Sequence, residues 1–136
     1  MVAPTIDADL AWTAAAALVQ PAMPSGATVY APGEVPGADG NAGTLPQKWL
    51  QLTVERRYTE TTHVGRTRTA FRAYLRAVAD THDNAGNILT RACGAIEDVQ
   101  IAVDGETSTP VAHETAEAVK PDAGKHSGMA SFTFTL

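Results

Sequence analysis

Six arginines between residues 56 and 76 form the largest group of chemically active side chains in the sequence. Arginine presents a planar fork of N–H donors, which can pair with a carboxylate or a phosphate through two hydrogen bonds at once. Tyr58, Phe71 and Tyr74 are interleaved with the group, as in surfaces that bind single-stranded nucleic acid. Its members are Arg56, Arg57, Arg66, Arg68, Arg72 and Arg76. The group predicts an acidic protein partner or a nucleic acid, and an ordinary solvated sheet face is the alternative that needs no partner.

The charge distribution favours a protein partner. The 136 residues carry a net charge of -5, which argues against a surface that attracts nucleic acid as a whole. Residues 1–47 hold four acids and no lysine or arginine, residues 48–76 carry about +5, and residues 77–136 hold nine acids against three basic residues. A basic middle between acidic ends can dock on copies of itself, because opposite patches attract and set the register.

Metal and thiol chemistry find little support. The four histidines are 19, 31 and 13 positions apart, so no pair has the i, i+3 or i, i+4 spacing of helical metal ligands. They are His63, His82, His113 and His126, and we interpret them as solvated residues on loops. The single cysteine, Cys93, lies among small apolar residues and predicts a buried, reduced thiol. We expect no metal site.

No arrangement typical of an enzyme is found. The chain lacks G-x-S-x-G, and its glycine-rich "PGADGNAG" lacks the Lys-Ser/Thr of a phosphate-binding loop. The carboxylate pairs Glu97/Asp98 and Glu114/Glu117 could serve acid–base chemistry. They are more simply solvated residues of a helix end and of a loop. We therefore expect no catalytic residues, no cofactor and no enzymatic activity.

Length and composition predict one folded domain over residues 1–136. The apolar share of 44% is enough for a core, although much of it is alanine. The N-terminus has Asp7 and Asp9 and no basic region, unlike a signal peptide. The weakly charged run 10–33 is broken by prolines and predicts no membrane span. A soluble protein made in the cytoplasm is expected.

The first half of the chain predicts a helix over 6–20, ended by Pro21, and a short strand at 28–30. The Gly-, Pro- and Asp-rich stretch 31–46 predicts a long loop, which we expect to be a contact arm. Alternation of Leu50, Leu52 and Val54 with polar residues predicts a strand over 48–58. "TETTHVGR" then reads as the tip of a long hairpin, with residues 57–68 as a second contact arm.

The stretch "TRTAFRAYLRAVAD" allows two interpretations. A helix would align Arg68, Arg72 and Arg76, whereas a strand would place Phe71 and Leu75 on one face and the arginines on the other. Alanine favours the helix by propensity. We favour the strand, because residues 48–58 need a hairpin partner and because Thr81 or Asp83 offers an N-cap for a separate helix.

The second half predicts a helix to about residues 94–98, a strand over 99–103 and a tight turn at Asp104-Gly105. Residues 106–119 predict a strand that frays into a polar loop, and "GMASFTFTL" predicts a closing strand. The order predicts an α+β fold: a mainly antiparallel sheet of four to five strands, two helices and a long β-hairpin.

In this order the pattern resembles the tail terminator proteins of long-tailed bacteriophages, especially those of phages that infect actinobacteria. Four segments carry the resemblance and together cover about residues 43–136. They are "GTLPQKWLQLTVERRY", "TAFRAYLRAVADTHDNAGNI", "VDGETSTPV" and "SFTFTL". A neighbouring ring of the same connector, a stopper or tail completion protein, has the same size and fold type and stays an alternative, as does a small nucleic-acid-binding module.

The resemblance implies a structural virion protein at the head–tail junction, made in the cytoplasm of the bacterial host. Such proteins form a ring, usually a hexamer, that caps the tail tube, ends its polymerisation and meets the head completion (stopper) protein. Genomic DNA passes through the lumen without sequence-specific binding, and neither a membrane nor a cofactor is involved. The six arginines are then expected at the interface between ring subunits or with the tail tube protein, an expectation that rests on their charge and hairpin position.

Overall fold

The computed structural model describes residues 7–61 and 67–136, which form two α-helices and seven strands. In chain order these are α1 (Ala8–Val19), β1 (Thr28–Tyr30), β2 (Lys48–Thr61), β3 (Thr67–Ala79), α2 (His82–Ile96), β4 (Gln100–Val103), β5 (Glu106–Pro110), β6 (Ala112–Asp122) and β7 (Lys125–Thr135). A short 3-10 turn, Gln20–Ala22, extends α1. No helix in these residues is both long and apolar enough to cross a membrane.

Five strands form the main sheet in the order β1-β2-β3-β7-β6, and β4 pairs with β5 in a separate two-stranded sheet. Every pairing is antiparallel except that of β1 with β2. The predicted α+β class, with a mainly antiparallel sheet, two helices and a long hairpin, is confirmed.

The core lies between one face of the main sheet and the two helices. β3 contributes Phe71 and Leu75, both fully buried, and β7 contributes Phe132 and Phe134. The rings of Phe71 and Phe134 stack with centroids 5.4 Å apart. Small side chains on β3 and α1 fill the remaining contacts, so alanine here allows close approach of the layers and does not merely raise helix propensity.

The strand interpretation of residues 67–79 is confirmed. β3 pairs residue by residue with β2, with Leu52 opposite Leu75 and Leu50 opposite Ala77. Alternate burial and ladder hydrogen bonds on both edges outweigh the helix propensity of its alanines. A new helix then begins after Thr81, whose hydroxyl accepts a hydrogen bond from the backbone N–H of Asn84 at 3.2 Å.

The prediction that residues 106–119 fray into a loop is wrong. They form β5 and most of β6, a strand of 11 residues at the edge of the main sheet. Most β6 side chains are exposed on both faces, so the sequence lacks the alternation that marks a half-buried strand. Two register shifts, at His113/Thr115 and Glu117/Lys120, interrupt the pairing with β7 and obscure the pattern further.

Candidate interaction surfaces

The face of the main sheet opposite the helices carries most of the paired charges in the described chain. Because side chains alternate along each strand, this open face is formed by the odd-numbered residues 51–55 of β2, the even-numbered residues 72–76 of β3 and the odd-numbered residues 127–133 of β7. β6 adds Glu114 and Asp122 beside β7. The open face therefore contains Arg72 and Arg76 from the predicted group.

Arg72 is held by carboxylates of its own chain. Its Nη2 donates to Glu114 Oε2 at 2.9 Å, and its Nε lies 2.8 Å from Glu114 Oε1, so the two groups form a close ion pair. Glu55 on the neighbouring β2 lies 3.7 Å from Nη1 and also accepts from the hydroxyl of Tyr74 at 3.1 Å. Ser131 donates to Glu114 Oε1 at 3.0 Å.

Arg76, four residues after Arg72 on the same face of β3, also pairs with a carboxylate of β6. Its Nη2 pairs with the carboxylate of Asp122, which also accepts from the hydroxyl of Ser127 at 3.0 Å. Both arginines reach across β7. The side chains of β7 on the open face are two serines, a threonine and a methionine. The two pairs therefore tie β3 to the edge strand β6 over the strand between them.

These contacts keep the groups ionised. Hydrogen bonds from Arg72 and then from Ser131 lower the pKa of Glu114, and the nearby charge of Arg57 acts in the same direction. Hydrogen bonds from Ser127 and then from Arg76 lower the pKa of Asp122. The Glu114 hydrogen bond raises the pKa of Arg72 above its already high ordinary value. The predicted interface role of Arg72 and Arg76 stays a prediction, beside the internal role that their contacts define.

The far end of the β2–β3 hairpin projects beyond the main sheet. Pairing between β3 and β7 ends where Thr69 and Leu136 exchange backbone hydrogen bonds of 2.8 and 2.9 Å. We call residues 56–61 and 67–69 the arm. Its Arg56, Arg57 and Arg68 are exposed, and the sixth member of the group, Arg66, lies outside the described residues.

One aromatic residue stands out on the arm. Tyr58 is 53% exposed, and the guanidinium of Arg57 lies 5.7 Å from its ring centroid. The register shift between Arg56 and Tyr58 places Arg57 on a bulge. The arm thus presents three cations and a ring to solvent, which is the composition of a recognition surface for an anionic partner.

The loop 31–46, predicted as a contact arm, packs against its own sheet. Val35 is buried with Trp49 and Val78 at the end of the open face. The side-chain amide of Asn41 donates to the carbonyls of Gly33 and Val35 at 2.7 and 2.9 Å. Leu45 remains 40% exposed, so part of the loop still offers an apolar contact. Its role in contacts with a partner stays a prediction.

The remaining candidate residues are scattered. His82 begins α2, and His113 and His126 lie in β6 and β7. The prediction that these three histidines lie on loops is therefore wrong. His63 lies outside the described residues. Glu114 and Glu117 likewise lie in a strand. Within residues 7–61 and 67–136, no three His, Cys, Asp or Glu side chains come close enough to hold a metal ion. Partial burial raises the pKa of the Cys93 thiol.

A cavity of about 260 Å³ lies on the open face beside β6. Its lining includes both members of the Arg76–Asp122 pair, together with Glu117, Lys120 and Met129. Because its arginine is already paired and the other two charges are of opposite sign, the cavity has no excess charge with which to select an ionic ligand.

Comparison with known proteins supports the fold. No protein-family model and no curated protein sequence match the chain. Its fold is similar to that of a chain in the virion of a native gene transfer agent particle, with a TM-score of 0.57 and 10% identity over 89% of this chain and 81% of the other. A second solved structure is similar over 96% of both chains, with a TM-score of 0.56 and 14% identity.

Proposed function

We propose that this chain is a structural, non-enzymatic virion protein that forms a homo-oligomeric ring at the end of a tail tube, as a tail terminator does. The observation that carries the proposal is the likeness of its fold to a chain of a virion particle over nearly its whole length. The sequence resemblance to tail terminators points to the same class. A projecting arm and an ion-paired sheet face fit a subunit that works through contacts with other proteins.

In this role the ring ends polymerisation of the tail tube protein and offers its other side to the head completion protein. Genomic DNA passes through the lumen. A neighbouring ring of the connector remains the second candidate, because it would be built from a subunit of the same size and fold type. The two differ in the surface they bind: a terminator binds the end of the tube, and a stopper binds the head.

The test combines the mass of the purified protein in solution with electron microscopy of the protein mixed with purified tail tubes. We expect a closed ring, alone or on tubes, and a density cap at one end of each tube. A protein that stays monomeric and never decorates a tube end would refute the proposal. Decoration of heads and not of tubes would identify the neighbouring connector ring.

A further inference from the structure

The arm carries charges that form no ion pair within residues 7–61 and 67–136. The arm contains one acid, Glu60, which lies opposite Arg68 in the ladder, whereas Arg56 lies opposite Phe71. No ion pair within 4 Å in the described chain includes Arg56, Arg57 or Arg68. Arg57 lies near Glu114, but that carboxylate is already taken by Arg72.

The opposite charge is concentrated between the end of α2 and β5. Residues 97–110, which we call the acidic hairpin, contain Glu97, Asp98, Asp104 and Glu106, and all four are exposed. The sequence has no lysine or arginine between Arg91 and Lys120. Within the described residues, no ion pair joins this hairpin to the arm.

The end of α2 adds a second source of negative potential. Glu97 is the C-cap of the helix, Asp98 follows it, and the last turn contains no basic residue. The C-terminal end of a helix carries a partial negative charge, so cations are favourable there and carboxylates are not. An arginine supplied from outside would pair with the carboxylates and with this helix end together.

The acidic hairpin touches β7 close to the base of the arm. The hydroxyl of Thr109 accepts a hydrogen bond from the backbone N–H of Thr135 at 3.0 Å, and the next residue, Leu136, is bonded to Thr69 of the arm. Residues 59–61 and 67–68 of the arm continue the β2–β3 ladder past the pairing with β7, whereas Arg56 lies opposite Phe71, which still pairs with β7. β4 of the acidic hairpin packs on the helix α1.

The charged side chains of both surfaces are exposed, and none of them forms an ion pair within the described residues, so each surface is available to another molecule. A contact between two different surfaces of identical subunits is heterologous, and it repeats from head to tail until a ring closes.

We propose that the arm of one copy docks on the acidic hairpin of the next copy, with Arg56 and Arg68 pairing with the exposed carboxylates of that hairpin, from Glu97 at the end of α2 to Glu106 at its turn. The inference rests on the proposed ring, and it names the partner as a second copy of this chain. It assigns the intersubunit contact to the arm and leaves Arg72 and Arg76 to their pairs within the subunit.

Charge reversal on each surface tests the proposal. The arm variant Arg56→Glu/Arg68→Glu and the hairpin variant Glu97→Lys/Glu106→Lys should each lose the ring mass, because every contact then joins like charges. Equimolar mixing should restore the wild-type mass, since each reversed arm meets a reversed hairpin and each native arm a native one. Such a ring alternates the two variants and has an even number of subunits.

The control is Arg91→Glu/Lys120→Glu, which changes the net charge as the arm variant does but lies off both surfaces. It should retain the ring. All variants are checked for the wild-type circular dichroism spectrum, so that loss of assembly is not confused with loss of folding. Disulfide formation in a Cys93→Ala background between cysteines placed at positions 56 and 97 should link different subunits, and only in the assembled form.

The outcomes separate the two proposals. If wild-type protein forms rings and the arm variant forms them equally well, the docking contact is wrong and the ring stands. If both variants fail and their mixture also fails, the two surfaces do not meet, and the inference is again overturned. If the wild-type protein never assembles and instead binds DNA at low salt through Arg56 and Arg68, both proposals fail in favour of nucleic-acid binding.

Discussion

Arg72 on β3 and Glu114 on β6 form a hydrogen-bonded ion pair although β7 lies between their strands. The pair is possible because Ser131 and Thr133 of β7 are short and leave the space above the sheet open. Ser131 also donates to the same carboxylate, so the middle strand takes part in the contact. The pair secures an edge strand whose other contacts are interrupted by two register shifts.

Replacement of Glu114 by glutamine should lower the free energy of unfolding at neutral pH. It should also make that free energy depend less on pH in the acid range. The pKa of Glu114 lies below its ordinary value of 4.5 in the folded chain. Its contribution is therefore complete above about pH 4.5 and is lost as the pH falls through the folded-state pKa. Urea midpoints measured from pH 7 to pH 3 should fall less steeply for Glu114→Gln than for the wild type.

Glu117→Gln is the matched control, since it removes a carboxylate from the same strand that forms no ion pair in the described chain. Its urea midpoints should follow those of the wild type. Some acid dependence should survive in Glu114→Gln, because Asp122 also has a lowered pKa. Parallel curves for Glu114→Gln and the wild type would mean that the ion pair does not contribute to stability.

Gly128 on β7 allows β6 and α2 to approach closely, and its replacement by alanine should destabilise the fold. A Cβ at this position would lie 2.8 Å from Val119 Cγ2 and 3.2 Å from Leu89 Cδ2, with the backbone Cα of Val119 at 3.3 Å. Both neighbours are partly buried and pack against the core, so a Cβ at these distances requires them to shift. We expect a loss of about 1–3 kcal/mol in the free energy of unfolding, measured by urea denaturation.

Gly94→Ala provides the contrast. Gly94 lies within α2, is exposed, and a Cβ there would meet no atom within 4 Å. Alanine should therefore stabilise the helix by about 0.5–1 kcal/mol. If Gly128→Ala were as stable as the wild type, the close approach of β6 to β7 would not be required for folding.

Sequence reasoning predicted the elements whose environment leaves a regular pattern. β2 and β3 alternate because one face is buried, and α2 begins at a residue that can cap it. β6 was not predicted in full, because the alternation of apolar and polar residues that marks a strand depends on one buried face. Most side chains of this edge strand are exposed, so it has no such face. Its place in the sheet is fixed by pairing with β7, which is a contact between segments and not a property of either one.

The arginine group was visible in the sequence, but its division into two sets was not. Alternation along β3 predicted that Arg72 and Arg76 leave the core side, and they do. Their partners Glu114 and Asp122 lie more than forty residues away on a strand that was not predicted in full. The separation of paired from unpaired arginines therefore required the strand order β3-β7-β6, which no local signal specifies.

Replacement of Asn41 by alanine should reduce the protection of the loop 31–46 against amide hydrogen exchange. The Asn41 amide holds two carbonyls of the loop, and each such hydrogen bond contributes about 0.5–1.5 kcal/mol. Its loss should free Val35 from Trp49 and Val78. Hydrogen exchange followed by mass spectrometry should show faster exchange in residues 31–46, with exchange in β3 and β7 unchanged.

Gly37→Ala should open the same loop by a different route, because Gly37 has φ 74° and a Cβ there would lie 2.5 Å from the backbone nitrogen of Leu45. Asn87→Ala is the control: Asn87 accepts a hydrogen bond from Arg91 on the exposed side of α2, far along the chain from the loop. It should leave loop exchange as in the wild type. Equal exchange in all four proteins would show that the loop is held by its apolar contact with Trp49 and not by the Asn41 amide.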